Sequence, residues 1–358
     1  MTTAPPLTDR EQQRRDALAD RLFDASRSAL DLFCVYLGDR LGLYGALAGR
    51  GPTTPEELAE AAGIDPRYAR EWLEQQAVGG LLEVEDGRFT LPPGHAEALG
   101  DPESEAYSPH LARSIVSLVA PLPLLMEAFR TGGGVPWTAY GDDGREAQAA
   151  YNRVMFLKHL GSEWIPSMPD VHARLQAPGA RVADLACGAG WSSIAIARAY
   201  PDARVDGFDG DAASIELARA NAEAEGLSER VRFIQRDVSA GEEAGGYDLV
   251  CVFEAIHDMA RPVEALAGMR ALAAPDGAAL VMDERTNDAL TVGDPQEHYL
   301  YGVSVLGCLP TGMSEQPSAG TGTVMRRATF ARYAEEAGFD DVEVLGIEHD
   351  TFRFYRLR

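Results

Sequence analysis

The run Arg181–Ser193, Arg-Val-Ala-Asp-Leu-Ala-Cys-Gly-Ala-Gly-Trp-Ser-Ser, constrains the fold of this chain more than any other stretch. Val182–Leu185 is a short apolar segment that ends in small residues. Gly188 and Gly190 allow a tight turn with no Cβ in the way. Ser192–Tyr200 then has helical character. Strand, glycine turn and helix together make the layout of a nucleotide-type site. The backbone can approach a ligand closely there, and the helix N-terminus offers free N–H groups.

From this turn onward strands and helices alternate. Strands are expected over 204–209, 231–237, 247–254 and 278–283, with helices over 211–226 and 262–273 and a turn at Asp276-Gly277. A long excursion over 284–325 precedes a last helix, 328–338. Two alternating runs, 342–347 and 351–357, form a terminal hairpin. The pattern predicts an α/β domain, a Rossmann-like, doubly wound and mostly parallel sheet with a C-terminal antiparallel hairpin.

The front of the chain differs. Thr8 and Glu11 form a capping box, and apolar residues at helical spacing run on to Leu47, with a break expected near Ser26–Ser28. Thr54-Pro55 and Asp65-Pro66 start two more helices, and Asp86-Gly87 turns a short hairpin. Helix, helix, helix, hairpin is a winged-helix pattern, an N-terminal and mainly helical domain. Such domains often bind DNA, but residues 29–100 carry twelve acidic and five basic side chains, a net of −7. The electrostatic attraction that supplies most DNA affinity is missing, so a dimerisation role is expected. The domains are set at 1–105, a helical connector at 106–178 bent at Pro121 and Pro123, and a catalytic domain at 179–358. Tyr151, Asn152, Met155 and Phe156 lie on connector helices beside the expected cleft.

The formal charge of −24 argues against nucleic acid or an anionic membrane as partner. No run of 18 apolar residues is present to suggest a membrane span. Four widely spaced cysteines without a CxxC, and a polar start without a secretory apolar region, fit a cytoplasmic protein with reduced thiols. A small-molecule enzyme is the class that remains.

Acidic residues fall at the carboxyl ends of the expected strands, where open α/β sheets bind ligands. Asp184 precedes the turn. Asp209 lies 19 residues beyond Gly190 and suits the two hydroxyls of a ribose. That much fits NAD or S-adenosylmethionine. Ser193 occupies the position of the third glycine of a dinucleotide fingerprint, which disfavours NAD. Asp184 suits a cationic amino-acid ligand better than a diphosphate, and Asp237-Val238 can meet an adenine amino group.

Asp184-Leu185-Ala186-Cys187-Gly188-Ala189-Gly190, followed by Asp209 and Asp237, resembles the class I S-adenosylmethionine-dependent methyltransferases over roughly the last half of the chain. The resemblance implies that Gly188 and Gly190 pass the methionine part, Asp184 lies near its ammonium, Asp209 holds the ribose, and Asp237 and Val238 hold the adenine. Gly210, Phe253 and Glu254 complete the expected cofactor set. Where Ala186 stands, the family has glycine more often. Ala255-Ile256-His257-Asp258, with the winged-helix front, resembles small-molecule O-methyltransferases. In that family a histidine here removes the proton of an acceptor hydroxyl, a role suited to imidazole. His257, Asp258 and Asp283 are the implied catalytic set, although Met259 replaces the usual tryptophan. Residues 253–259 with the segment 317–323 also look like uncharacterised bacterial winged-helix-fused methyltransferases, a closer resemblance that implies no substrate. The excursion carries His298 and Met313 as candidate acceptor contacts. Methyl transfer to a small-molecule hydroxyl by a homodimer is therefore expected. The alternatives are transfer to carbon or nitrogen and a ligand-responsive transcriptional regulator.

Overall fold

The computed structural model describes residues 7–239 and 245–358. The chain divides into two compact units, Met1–Val116 and Ser117–Arg358. The division falls inside the helix Pro109–Val119. The stretch expected as a connector, 106–178, therefore forms no body of its own. Its later part, the π-helical segment Phe156–Trp164, packs against the helix that follows the glycine turn.

In the first unit, Thr8 and Glu11 form the capping box of a helix, Asp9–Arg40, that runs through Ser26–Ser28 without a break. The hydroxyls of Ser26 and Ser28 bond back to the carbonyls of Phe23 and Asp24, at 2.7 and 3.1 Å, so these serines are accommodated within the helix. Thr54 and Asp65 cap Pro55–Ala62 and Pro66–Val78 as their side chains predict. The hairpin pairs β1 (Glu83–Glu85) with β2 (Arg88–Thr90), shorter than the expected strands. Leu43, Tyr44, Leu58, Trp72, Leu73 and Phe89 are buried at its core. Among the described residues no single helix is long and apolar enough to cross a membrane, and one bent pair, Pro109–Val119 with Leu122–Thr131, passes by length and composition.

The second unit is built on β3 (Arg181–Leu185), β4 (Arg204–Asp209), β5 (Val231–Gln235), β6 (Tyr247–Phe253), β7 (Ala273–Glu284), β8 (Val342–Val344) and β9 (Phe352–Leu357). Their order is β5-β4-β3-β6-β7-β9-β8, with β9 antiparallel to both its neighbours and the others parallel. Side chains alternate across the sheet. Val182, Leu249, Cys251 and Met282 enter one core, and Ala183, Leu185, Val250 and Val281 the other. Both faces are covered, as the continuous apolar strands require. Asp276-Gly277 does not end the preceding element as expected. It lies within β7, where the pairing with β6 slips between Tyr247 and Leu249.

After β3 the chain builds outward through β4 and β5, then crosses to β6 on the other side of β3. The carboxyl ends of β3 and β6 therefore flank the topological switch point, where such sheets bind ligands. Each of these two strands is followed by a non-glycine residue in the left-handed region: Ala186 at φ 53° and Glu254 at φ 53°. Strain of this kind, of order 1–3 kcal/mol per residue, gathers where a binding site dictates the backbone.

Asp184 organises the turn. Its side chain is fully buried, and Oδ2 accepts the hydroxyls of both Ser192 and Ser193 at 2.6 Å. The Cys251 thiol lies 3.7 Å from Oδ1. Ser193, where a third glycine was missing, thus has a positive function, because it ties the first helical turn to the end of β3. Gly190 sits at φ 80°, and a Cβ there would lie 2.5 Å from the Phe233 ring.

Two predictions follow from the turn. Gly190→Ala combines left-handed strain with overpacking and is expected to lower unfolding free energy by about 2–4 kcal/mol. Ala186→Gly relieves strain and is expected to raise it by under about 1 kcal/mol. Urea titration measures both, and equal signs would contradict the turn geometry. Burial pushes the Asp184 carboxyl from 3.8 up to about 6, against the hydrogen bonds of the two serines. The unfolded chain releases this proton first. The stability the group contributes is thus full below pH 3.8 and is lost as pH rises through about 6. That loss is about 3 kcal/mol. Asp184→Asn should remove this part of the decline in melting temperature between pH 4 and 7 (~), which calorimetry at stepped pH will show.

Candidate active site

On the β3–β4 side, Asp209 ends β4 with its carboxylate fixed by backbone donors. The N–H of Gly188 reaches Oδ2 at 2.9 Å, and the N–H of Asp211 reaches Oδ1 at 2.8 Å. Burial raises its pKa, while these N–H groups oppose the shift. Space is open above Gly188 and Gly210, where an added Cβ would meet no atom within 4 Å. β5 stops at Gln235, so Asp237 lies two residues beyond the strand, exposed and paired with Arg261 at 2.8 Å. Val238 beside it is buried. Asp184 lies beneath the turn, with one oxygen already taken by two hydroxyls.

The β6–β7 side carries a cluster of buried titratable groups. Phe253 ends β6 and packs its ring 5.2 Å from that of Phe156. Glu254 follows, with its N–H donating to the Met282 carbonyl at 2.8 Å, which seats it beside the end of β7. Gln148 Nε2 donates to Glu254 Oε2 at 2.8 Å, whereas Oε1 is buried without a hydrogen-bond partner. Glu284 Oε2 and Asp283 Oδ2 are likewise buried and unpartnered. Burial and the Glu284 carboxylate push Glu254 well above the usual carboxylate range. Burial raises Glu284 to about 8.

His257 and Asp258 stand on the short 3-10 turn Ile256–Asp258. His257 is buried, with Nδ1 2.7 Å from Asp283 Oδ1, which also accepts the Glu284 N–H. A carboxylate on Nδ1 fixes the neutral tautomer that donates from Nδ1 and leaves the Nε2 lone pair free. Asp258 Oδ1 lies 3.3 Å from Nε2 and makes no hydrogen bond. Burial opposes the imidazolium, but the carboxylates of Asp283 and Asp258 outweigh it, so His257 titrates well above its ordinary value.

Of the acceptor candidates, Tyr151 is half-buried close to this acid group, since Glu254 and Glu284 add to the burial that raises its pKa. Asn152 has a buried Oδ1 without a partner. Met155 packs on the core, and Phe156 is part of it. Met313 is half-buried next to Gly312, whose added Cβ would lie 3.1 Å from the Asp258 carbonyl. His298 is exposed on the helix Pro295–Val303, and no contact brings it to His257. Two participants, Gln148 and Cys308, carry no sequence signal. Cys308 closes the turn Ser304–Cys308 of the excursion, and its sulfur lies within 4.8 Å of the His257 and Asp258 ligand atoms.

The open glycine turn, the backbone-fixed acid of Asp209 and the unpartnered Glu254 oxygen fit a ligand that joins a nucleoside to a cationic amino-acid part. Residues 176–307 match the methyltransferase domain family, and residues 28–100 match the Rv2258c-like winged HTH domain. A ubiquinone biosynthesis O-methyltransferase of Burkholderia pseudomallei (strain 1710b) is 28% identical over 210 residues, 57% of this chain and 81% of that protein. The solved structure of the mitomycin 7-O-methyltransferase MmcR is similar with a TM-score of 0.70 at 20% identity, covering 97% of this chain and 99% of that one. An O-methyltransferase family protein from Burkholderia thailandensis gives a TM-score of 0.69 at 18% identity, over 99% and 98%. At such identities the structural likeness speaks for the fold, and the domain matches add the chemistry of the second unit. Residues 176–307 thus carry a methyltransferase domain and residues 28–100 a winged helix-turn-helix domain ahead of it, an arrangement consistent with a class I S-adenosylmethionine-dependent methyltransferase.

Proposed function

We propose that the protein methylates a hydroxyl oxygen of a small molecule, with His257 as general base. The observation that carries this reading is the 2.7 Å contact between His257 Nδ1 and Asp283, which leaves Nε2 as the proton acceptor. S-adenosylmethionine supplies an electrophilic methyl group on a positively charged sulfur. Gly188, Gly190 and Asp209 hold the nucleoside and methionine parts, with Gly210, Asp237, Val238, Phe253 and Glu254 around them. With the donor bound, His257 Nε2 would take the acceptor's hydroxyl proton, leaving the oxygen to receive the methyl group that S-adenosylmethionine would supply. Asp283 keeps the imidazole oriented and stabilises its charged form. Alignment of oxygen, carbon and sulfur carries much of the remaining rate. Tyr151, Asn152 and Met313 border the acceptor.

The long first helix exposes Leu18, Leu22, Phe23, Leu30 and Leu37, an apolar series that supports a homodimer. The acidic winged domain supports assembly over DNA binding. The thiol content fits action in the cytoplasm. Transfer to nitrogen is a second reading, favoured by the unpartnered Glu254 and Glu284 oxygens, which suit an amine-bearing acceptor.

His257→Ala is expected to lower kcat by about 10²–10⁴-fold, the span of general-base assistance, with S-adenosylmethionine affinity unchanged. A loss below tenfold would favour nitrogen transfer. The pH profile of kcat/KM should rise through a midpoint above 6.5, because the base must lose a proton that Asp283 and Asp258 retain. Asp283→Asn should move that midpoint to lower pH and reduce the plateau. Asp209→Ala should weaken S-adenosylmethionine binding at least tenfold by calorimetry (~), and unchanged binding would remove Asp209 from the donor site.

A further inference from the structure

His257, Asp258 and Cys308 converge from two separate elements, the turn after β6 and the excursion after β7. They offer an imidazole nitrogen, a carboxylate oxygen and a sulfur, all within 4.8 Å of one another. The nitrogen–oxygen spacing decides what this trio can hold. Zinc bonds to nitrogen and oxygen at about 2.0–2.1 Å, so adjacent ligand atoms of a tetrahedral site stand about 3.3–3.4 Å apart. His257 Nε2 and Asp258 Oδ1 are 3.3 Å apart, an ion-pair contact while the imidazole is protonated and the spacing of two adjacent metal ligands once it is neutral. Behind the imidazole, Asp283 Oδ1 at 2.7 Å is the carboxylate that orients zinc-binding histidines through their second nitrogen. Nitrogen, oxygen and sulfur together suit a borderline-soft cation, whereas magnesium and calcium require oxygen donors.

We propose that His257 Nε2, Asp258 and Cys308 form a site for a zinc-class divalent cation, with a fourth position open. Cys308 binds as thiolate, its proton passing to solvent. The metal occupies the lone pair that receives the acceptor's proton, so metal occupancy and methyl transfer exclude each other. The metal site stands on its own geometry. The exclusion rests on the reading of His257 as base.

The full-length protein, stripped with a chelator, is titrated with Co²⁺ and then Zn²⁺. One Co²⁺ per chain should bind with a thiolate-to-cobalt charge-transfer band in the near ultraviolet. The band should vanish in Cys308→Ser, persist in Cys34→Ser, and bleach as Zn²⁺ displaces cobalt. Asp258→Asn keeps the thiolate and should retain the band with at least tenfold weaker affinity (~), a check that survives misfolding of Cys308→Ser. A wild-type protein without the band, or a band that survives Cys308→Ser, overturns the site. Zn²⁺ at full occupancy should also reduce methyl transfer by tenfold or more (~). If zinc binds with the predicted spectrum and transfer is unaffected, the site stands and the assignment of His257 as base falls.

Discussion

A buried carboxylate at the centre of the sheet is the constraint on which the donor half of this enzyme depends. Asp184 stands on β3, between β4 and β6, with no access to solvent. Burying such a group is unfavourable unless hydrogen bonds compensate. Ser192 and Ser193 provide them, and only a chain that turns sharply at residues 186–190 can bring both hydroxyls back to one oxygen. The polar requirement of Asp184 thus selects the turn. The turn in turn forces Ala186 into the left-handed region and draws Gly190 against Phe233. It also directs the Gly188 N–H at Asp209, so the second acid is positioned by the same backbone.

Because β6 neighbours β3, the histidine and its acids are placed by the same switch point. Glu254 leaves β6 in a strained conformation, as Ala186 leaves β3, and its N–H caps the carbonyl of Met282 on β7. That bond holds the ends of β6 and β7 level. His257 then returns over the end of β7 to meet Asp283. The histidine is therefore oriented by the sheet through Asp283. Excision of the Asp283 carboxylate would leave Nδ1 without its partner inside a buried site, a costly arrangement for any polar group.

The parts of this architecture legible in the sequence are those set by local pattern. Short apolar runs mark β3 to β7, and the capping side chains of Thr8, Thr54 and Asp65 mark helix starts correctly. Strand-end acids could be found for the same reason, since a strand's end is visible and its ligand-binding side follows from topology. Ser193 could be seen as a departure from a glycine pattern, but its bond to Asp184 depends on how the turn folds back. The expected break at Ser26–Ser28 failed because serine hydroxyls can be satisfied inside a helix by the preceding turn. Gln148 and Cys308 were invisible because each reaches the site from a segment far away in sequence. His298 stands exposed on the helix Pro295–Val303 of the excursion.

Charge explains why so many acids surround one histidine. Glu254, Asp258, Asp283 and Glu284 share a largely enclosed space, and burial holds the first, second and fourth toward their protonated forms. A simple histidine–carboxylate pair would need only Asp283. In the proposed reaction, however, one positive charge is present throughout. It enters on sulfur and, once the acceptor's proton has moved, resides on His257. Because burial keeps three of these carboxyls toward their neutral forms, each can release its proton when a cation comes to lie beside it, so the group can balance a positive charge in either place. It also attracts any other cation able to use an imidazole and a thiolate. The acidity proposed to serve methyl transfer and the proposed zinc-class site would therefore be two consequences of one arrangement.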